Sequence, residues 1–364
     1  MRINHLMKRN KIEIANQILD TITKLPKDQQ QKFYNKLFYQ IRNPCIQTQE
    51  DIHCQPIVLK VSYDGQYLSG VQECNQPFTI TRILKDALIN AQMLPSNIHI
   101  PITSCGRTDS GVSASGQTFS LWIRAAQKTG ATFGDMSNFI QSFDTIDYMN
   151  AINPKLPPEV QITGWALVQP KFSARHSTTG RTYSYFIPNF QNISIDLMRD
   201  ASQKLIGWKN YKNFCFEKQE IDNYTRKIRS FDFLVDENTL QIRINGTAFL
   251  YHQIRCIISI LVLIGLKLET LDIIDYLLDI ETIQTRPKYI IAPPEFLLFE
   301  KPEYQDIVWN TSTKDKIIKN IQALKDMQTF TTQFYNLQKD TSYNYIIDQI
   351  KGNQENYCEI KNLK

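Results

Sequence analysis

Ser104-Cys105-Gly106-Arg107-Thr108-Asp109-Ser110-Gly111-Val112-Ser113-Ala114 sets an arginine, a threonine and an aspartate between two glycines. It follows the apolar run Ile98-His99-Ile100-Pro101-Ile102, which reads as part of a strand over 98–103. Gly106 and Gly111 let the backbone turn sharply and let another molecule come close. Arg107 can grip a phosphate or wedge beside a base. Asp109 stands as a single carboxylate, and one carboxylate without a paired acid suits nucleophilic attack better than two-carboxylate hydrolysis. A polar hairpin turn would use the same residue types. What separates the two readings is the rest of the chain.

Working outward, Pro56 opens a strand over 57–63 in which Ile57, Leu59, Val61 and Tyr63 alternate onto one face. A helix is predicted over 81–92. After the quoted loop, Phe119, Leu121 and Ile123 alternate in a strand over 117–123. Further strands are predicted at 160–167, 182–187, 228–235 and 239–245, and helices at 195–205, 251–266 and 271–278. This order gives an α+β fold with antiparallel sheet, in two halves that share a grammar without a visible repeat. The ends differ from the middle. Residues 1–55 read as a helical extension, with polar helices over 11–24 and 27–42 parted by Pro26, and 306–364 as a polar, helical C-terminal extension. The core units are then 56–165, which carries the quoted loop, and 166–305.

The chain has 364 residues, 42% hydrophobic and 21% charged, with a formal net charge of +5. That is an ordinary globular composition, mildly basic, compatible with RNA but not diagnostic of it. Basic residues gather between Lys171 and Arg181 and at Arg226-Lys227-Ile228-Arg229. The seven cysteines form no CxxC pair and the five histidines do not cluster, so no metal is expected, and reduced thiols fit cytoplasm or nucleus. The first twelve residues are basic, as in a mitochondrial presequence, but Glu13, Asp20 and the scarcity of Ser and Arg weigh against that destination. The apolar run 256–266 is too short to span a bilayer and reads as a buried core helix, so no membrane partner is expected.

Cys105-Gly106-Arg107-Thr108-Asp109, with Gly111-Val112-Ser113-Ala114 and Gly116-Gln117, resembles the active-site loop of tRNA pseudouridine synthases of the TruA type. Within that family it is most similar to the eukaryotic branch acting on tRNA positions 38 and 39. Other signatures follow in order: Tyr63-Asp64-Gly65 before Gly70 and Gln72; Phe172-Ser173-Ala174-Arg175 before Arg181-Thr182-Tyr183-Ser184-Tyr185; Leu205-Ile206-Gly207; Asn213-Phe214; Ala248-Phe249-Leu250-Tyr251-His252-Gln253-Ile254-Arg255; Arg286-Pro287-Lys288-Tyr289; and Leu297-Leu298-Phe299. The resemblance covers residues 56–303, too long an ordered series for chance. It implies two ferredoxin-like halves with antiparallel sheets joined around a central RNA-binding cleft. The implied activity is isomerisation of uridine to pseudouridine in tRNA, which oxidises, hydrolyses and transfers nothing, so no cofactor is implied.

The resemblance makes Asp109 the essential carboxylate, as nucleophile at C1′ or as base. Arg255 stands at the start of an apolar helix, where an unpaired guanidinium is costly to bury; it either snorkels, pairs with another acid, or, as the resemblance implies, forms a bidentate pair with Asp109. Tyr183 matches the family's active-site tyrosine and could stack on a flipped uracil; core packing is its alternative, and the reading preferred for Tyr185. RNA or uracil contacts are implied at Arg107, Thr108, Arg175, Arg181 and Leu297, with Leu298 beside it. His252 matches a family histidine but, as a lone His at a helix start, reads as structural, and Cys105 reads as packing. Ser110 (usually lysine in the branch), Val71 and Glu295 depart from the family pattern, which bears on RNA affinity more than on catalysis. Two rival readings are a non-catalytic RNA-binding subunit that keeps the fold and a synthase for other tRNA positions. Bacterial relatives dimerise while some eukaryotic branches are monomeric, so a homodimer is open.

Overall fold

The computed structural model describes residues 52–311, apart from 67, 74, 75, 77, 142–144, 189, 191, 217–220, 237 and 238. The helices expected over 11–24 and 27–42 and those expected in the C-terminal extension lie outside the described residues.

Strand β1 (Cys54–Tyr63) carries the alternating apolar set of the sequence. Ile57, Leu59, Val61 and Tyr63 are buried on one face, and Val58 and Ser62 are buried on the other. Helix α1 (Ile80–Asn90) turns Ile80, Ile83, Leu84, Ala87 and Leu88 inward, the i, i+3, i+4, i+7, i+8 stripe of an amphipathic helix. The strand expected over 98–103 shrinks to β2 (Thr103–Ser104), two residues laid against β3 (Ser113–Arg124). Pro101 has no N–H to give a ladder, so the segment before it runs as irregular chain. Helix α2 (Tyr148–Ile152), which the sequence reading lacked, leads through a 3-10 turn into β4 (Val160–Leu167).

The second half runs β5 (Gly180–Pro188), α3 (Ile195–Gln203), β6 (Gly207–Asn210), β7 (Thr225–Asp236), β8 (Thr239–Gly246), α4 (Gln253–Gly265), α5 (Asp272–Leu278) and β9 (Leu297–Glu303), followed by the short β10 (Asn310–Thr311). The apolar run 256–266 is a core helix as expected: in α4 every residue except Arg255 is buried.

The strands form one sheet in the order β10-β4-β1-β3-β9-β5-β8-β7-β6, with β2 beside β3. All pairings are antiparallel except β3 with β9, where Ser113 faces Leu298 and Ala114 faces Phe299. The fold is thus mixed α/β around a large, mostly antiparallel sheet. Register places Val160, Tyr63, Ala114, Phe299, Tyr183, Ile244 and Phe231 opposite one another in turn. All seven are buried, a single row of core side chains across seven strands. Directly opposed residues in a sheet share a face, so this row sets which face both halves turn to their helices.

Gly65 shows why the Tyr63-Asp64-Gly65 motif ends in glycine: a Cβ there would stand 2.1 Å from the Val112 carbonyl oxygen. Gly65→Ala should lower the unfolding free energy by about 1–3 kcal/mol, read as a shifted denaturant midpoint; an unshifted midpoint would mean that the 110s loop is free to retreat. A second expectation concerns alkali. Burial raises the phenols of Tyr63, Tyr183, Tyr185, Tyr211, Tyr289 and Tyr304 and pushes Tyr148 up to about 12. The unfolded chain would ionise these near 10 while the folded one holds them protonated, so stability should be intact below 10 and fall as pH rises beyond it. Unfolding midpoints measured from pH 8 to 11 check this, and a flat profile would contradict it.

Candidate active site

Residues 105–112 form the loop between β2 and β3, and neighbouring segments hold it from several sides. The Tyr63 hydroxyl shares a 2.8 Å hydrogen bond with Thr108 Oγ1, and the Gly65 N–H donates to Ser113 Oγ at 3.0 Å. The Val71 N–H donates to the Thr108 carbonyl, and the Gly111 N–H and Ser110 hydroxyl both donate to the Leu68 carbonyl. Gln117 brackets Gly106, its Nε2 donating to the carbonyl at 2.9 Å and its Oε1 accepting from the N–H at 3.3 Å. Gly111 completes the turn at φ +85, a conformation that strains any residue with a Cβ. The early Tyr63…Gly70 motif is therefore the cradle of the loop. Ser110 adds a tether to this loop.

Asp109 projects from this loop toward the start of α4. Arg255 Nη1 lies 3.3 Å from Asp109 Oδ2. Arg255 Nε donates to the Ala292 carbonyl at 2.7 Å. That second bond aims the guanidinium. His252 also reaches the carboxylate, with Nε2 3.3 Å from the same Oδ2. The sequence reading took His252 as structural. Its match to a family histidine was the available signal, and spacing could not show that the chain turns there at φ +61 and swings the ring to the carboxylate. The side chains of Asp109, His252 and Arg255 are 18%, 14% and 12% exposed, a sheltered group in which charge-assisted bonds count for more than in water.

Tyr183 is buried beside this group. Its ring meets Phe299 edge-on at 4.8 Å and Phe249 at 5.3 Å. Its hydroxyl lies beside Gly106, where a Cβ would stand at an ordinary contact distance of 3.5 Å. Burial raises the phenol well above its ordinary value, keeping it a neutral hydrogen-bonding group. Tyr185 is core, as expected, its hydroxyl donating to the Pro293 carbonyl. Leu297 is buried opposite Tyr185, and Leu298 is half-buried opposite Ser184 and Ser113. The Cys105 thiol is buried and raised by that burial, away from nucleophilic use.

The remaining residues separate by exposure. Arg107 and Arg175 are exposed on the loop surfaces. Thr108 is buried and bonded to Tyr63, so it serves the loop from within. Arg181 is half-buried and gives its guanidinium to three carbonyls: Nη1 to Thr247 at 2.6 Å, Nη2 to Cys105 at 3.0 Å and to Arg175 at 3.2 Å. It clamps the strand β8 exit, the start of the 105–112 loop and the 170s loop together, and thereby brings Arg175 next to that loop. Arg181→Met keeps the stem and removes the donors; the expected cost is about 1–3 kcal/mol of stability, measured by urea unfolding. An unchanged midpoint would show that water serves those carbonyls equally well.

A profile of the family described as tRNA pseudouridine synthase matches residues 201–305. A human protein named tRNA pseudouridine(38/39) synthase is 34% identical over 273 residues, covering 70% of this chain and 56% of that protein. The Saccharomyces cerevisiae protein of the same name is 32% identical over 268 residues, covering 71% and 60%. An archaeal tRNA pseudouridine synthase A from Methanothrix thermoacetophila is 28% identical, covering 72% of this chain and 88% of its own length. The chain thus spans under two thirds of the human and yeast relatives. With the Asp109 loop cradled by the Tyr63 motif and met by Arg255 of α4, the chain is similar to tRNA pseudouridine synthases of the TruA type.

Proposed function

We propose that this chain isomerises uridine to pseudouridine in the anticodon arm of tRNA, at positions 38 and 39. The observation that carries the proposal is the Asp109–Arg255 pair at 3.3 Å, sheltered beside the buried Tyr183. The names of the human and yeast relatives support the positions.

The reaction breaks the C1′–N1 bond, turns the uracil, and joins C1′ to C5; the proton lost from C5 is matched by one gained at N1, so product and substrate are isomers. Each step can be assigned to side chains of this chain. Asp109 acts on the ribose, by adding to C1′ or by taking a proton beside it. Both need the ionised carboxylate, which an adjacent guanidinium favours. Tyr183, neutral and held by Phe299 and Phe249, offers a ring to the uracil and a hydroxyl to the proton exchange at C5. Leu297 is the apolar wall beneath the base. The uridine must leave the stack to expose C1′ and C5, and the exposed Arg107 and Arg175 are placed to hold the phosphates or the gap it leaves. Arg181 and Thr108 serve by fixing the loops that carry them.

The finer architecture belongs to the same proposal. Each half reads as a ferredoxin-like unit: β1-α1-β2-β3-α2-β4 in the order β4-β1-β3-β2, and β5-α3-β7-β8-α4-β9 in the order β9-β5-β8-β7. This strand order supports units at 56–165 and 166–305, flanked by extensions at 1–55 and 306–364, with the RNA cleft where they meet. tRNA is the partner. A homodimer, in which a second copy adds RNA contacts, and residence in cytoplasm or nucleus complete the reading; the free thiols of Cys54, Cys105, Cys215 and Cys256 fit a reducing compartment.

The test is pseudouridine mapping on tRNA treated with wild-type protein and with Asp109→Ala. We expect modification at 38 and 39 with the wild type and none with the variant, while tRNA binding persists. Signal at other uridines would overturn the positions, and a folded wild type that binds tRNA without converting it would overturn the activity.

A further inference from the structure

We infer that His252 is a second positioning residue for the reacting carboxylate, acting beside Arg255; the inference rests on the synthase reading. His252 Nε2 and Arg255 Nη1 both lie 3.3 Å from the same oxygen, Asp109 Oδ2. Two donors on one oxygen define the orientation of the carboxylate, where one leaves it free to swing about the bond.

The surroundings show that the ring is placed there by the fold. His252 takes φ +61, left-handed backbone that costs a residue with a side chain roughly 1 kcal/mol or more and persists only where its surroundings impose it. This turn ends the chain's approach to α4 and keeps His252 out of the helix, whose regular path would carry its side chain elsewhere. The ring is then braced. Tyr251 stacks on it with centroids 3.7 Å apart, and Phe216 meets its edge at 5.4 Å. The Phe216 N–H donates to the Tyr251 carbonyl at 3.1 Å, tying the two braces together, and the Arg286 guanidinium lies 4.2 Å over the Phe216 ring. Among the described residues, the charged and titratable groups around His252 include Asp109 from the 105–112 loop, Arg255 from α4, its neighbour Tyr251, and Arg286 behind Phe216. Among these, Asp109 is the acceptor for an Nε2–H, whether the imidazole is neutral with its proton on Nε2 or fully protonated. Either form favours the ionised carboxylate, which catalysis requires.

Three substitutions separate this role from packing. His252→Phe keeps a ring between Tyr251 and Phe216 and removes the donor. His252→Gln places an amide N–H at about the reach of Nε2. His252→Asn tolerates the left-handed backbone but is too short to reach. Single-turnover pseudouridylation should show kcat reduced about 10- to 100-fold in the Phe and Asn variants, with KM and thermal midpoint near those of the wild type. The Gln variant should recover most of the loss. Removing a donor to the charged form should also move the acid limb of the kcat profile to higher pH in the Phe variant. Wild-type kcat and an unmoved acid limb in His252→Phe, or full activity in His252→Asn, would overturn the inference. So would equal losses in all three that track their thermal midpoints, which is the signature of packing alone. A wild type that converts no tRNA uridine in this assay would instead bring down the synthase reading, and the role in turnover with it.

Discussion

Two residues of parallel ladder join the strands β4-β1-β3 to the strands β9-β5-β8-β7 within the sheet. Ser113 against Leu298 and Ala114 against Phe299 are the seam between β3 and β9, and the placement of the site follows from it. Ala114 lies five residues beyond Asp109, and Phe299 carries the ring on which Tyr183 rests. The seam therefore sets the distance between the carboxylate loop and the aromatic wall by backbone hydrogen bonding, a stiffer constraint than any side-chain contact. It is extended by the row from Val160 to Phe231, which commits both halves to a common buried face. Gly116 permits the close approach just beyond: a Cβ there would sit 2.5 Å from the Glu300 carbonyl oxygen.

Around that seam the site is assembled from segments far apart in sequence. The first half supplies the carboxylate and its cradle. The second supplies the guanidinium, imidazole and phenol. Arg255 enters as the one residue of α4 that is not fully buried, and the 290s chain captures its Nε so that Nη1 is left for Asp109. Arg181 draws the loops of both halves together through carbonyls. The polar side chains are thus divided between groups that converge on Asp109 and groups that hold loops, and residue type does not reveal which is which. Two arginines in adjacent motifs, Arg175 and Arg181, take opposite parts: one exposed on the surface, the other given to backbone.

Much of this architecture was legible in the chain itself. Strand β1, helix α1 and β3 follow from alternation and from the i, i+3, i+4 stripe, because a half-buried element must place its apolar groups with its own period. The burial of α4 follows from its unbroken apolar run. The strand expected over 98–103 fell short because apolar content outweighed Pro101 in the reading, and β6 went unseen because Gly207-Trp208-Lys209-Asn210 has no period to detect. Asp109, Arg255 and Tyr183 could be singled out from their motifs. The bond from Arg255 Nε to the Ala292 carbonyl, thirty-seven residues on, leaves no trace in the motif itself.

The sequence by itself determined the α+β character, the strands and helices with strong periodicity, the loop bearing Asp109, and the resemblance to TruA-type tRNA pseudouridine synthases; these rest on local pattern and ordered motifs, which one dimension records. Only the tertiary structure decided the sheet order, the parallel seam, the clamp made by Arg181, the inward bond of Thr108 and the presence of His252 at the carboxylate. Each of those depends on which distant segments meet. A backbone turned to φ +61 or a carbonyl that captures an arginine is a consequence of packing, and packing is settled by the whole chain at once.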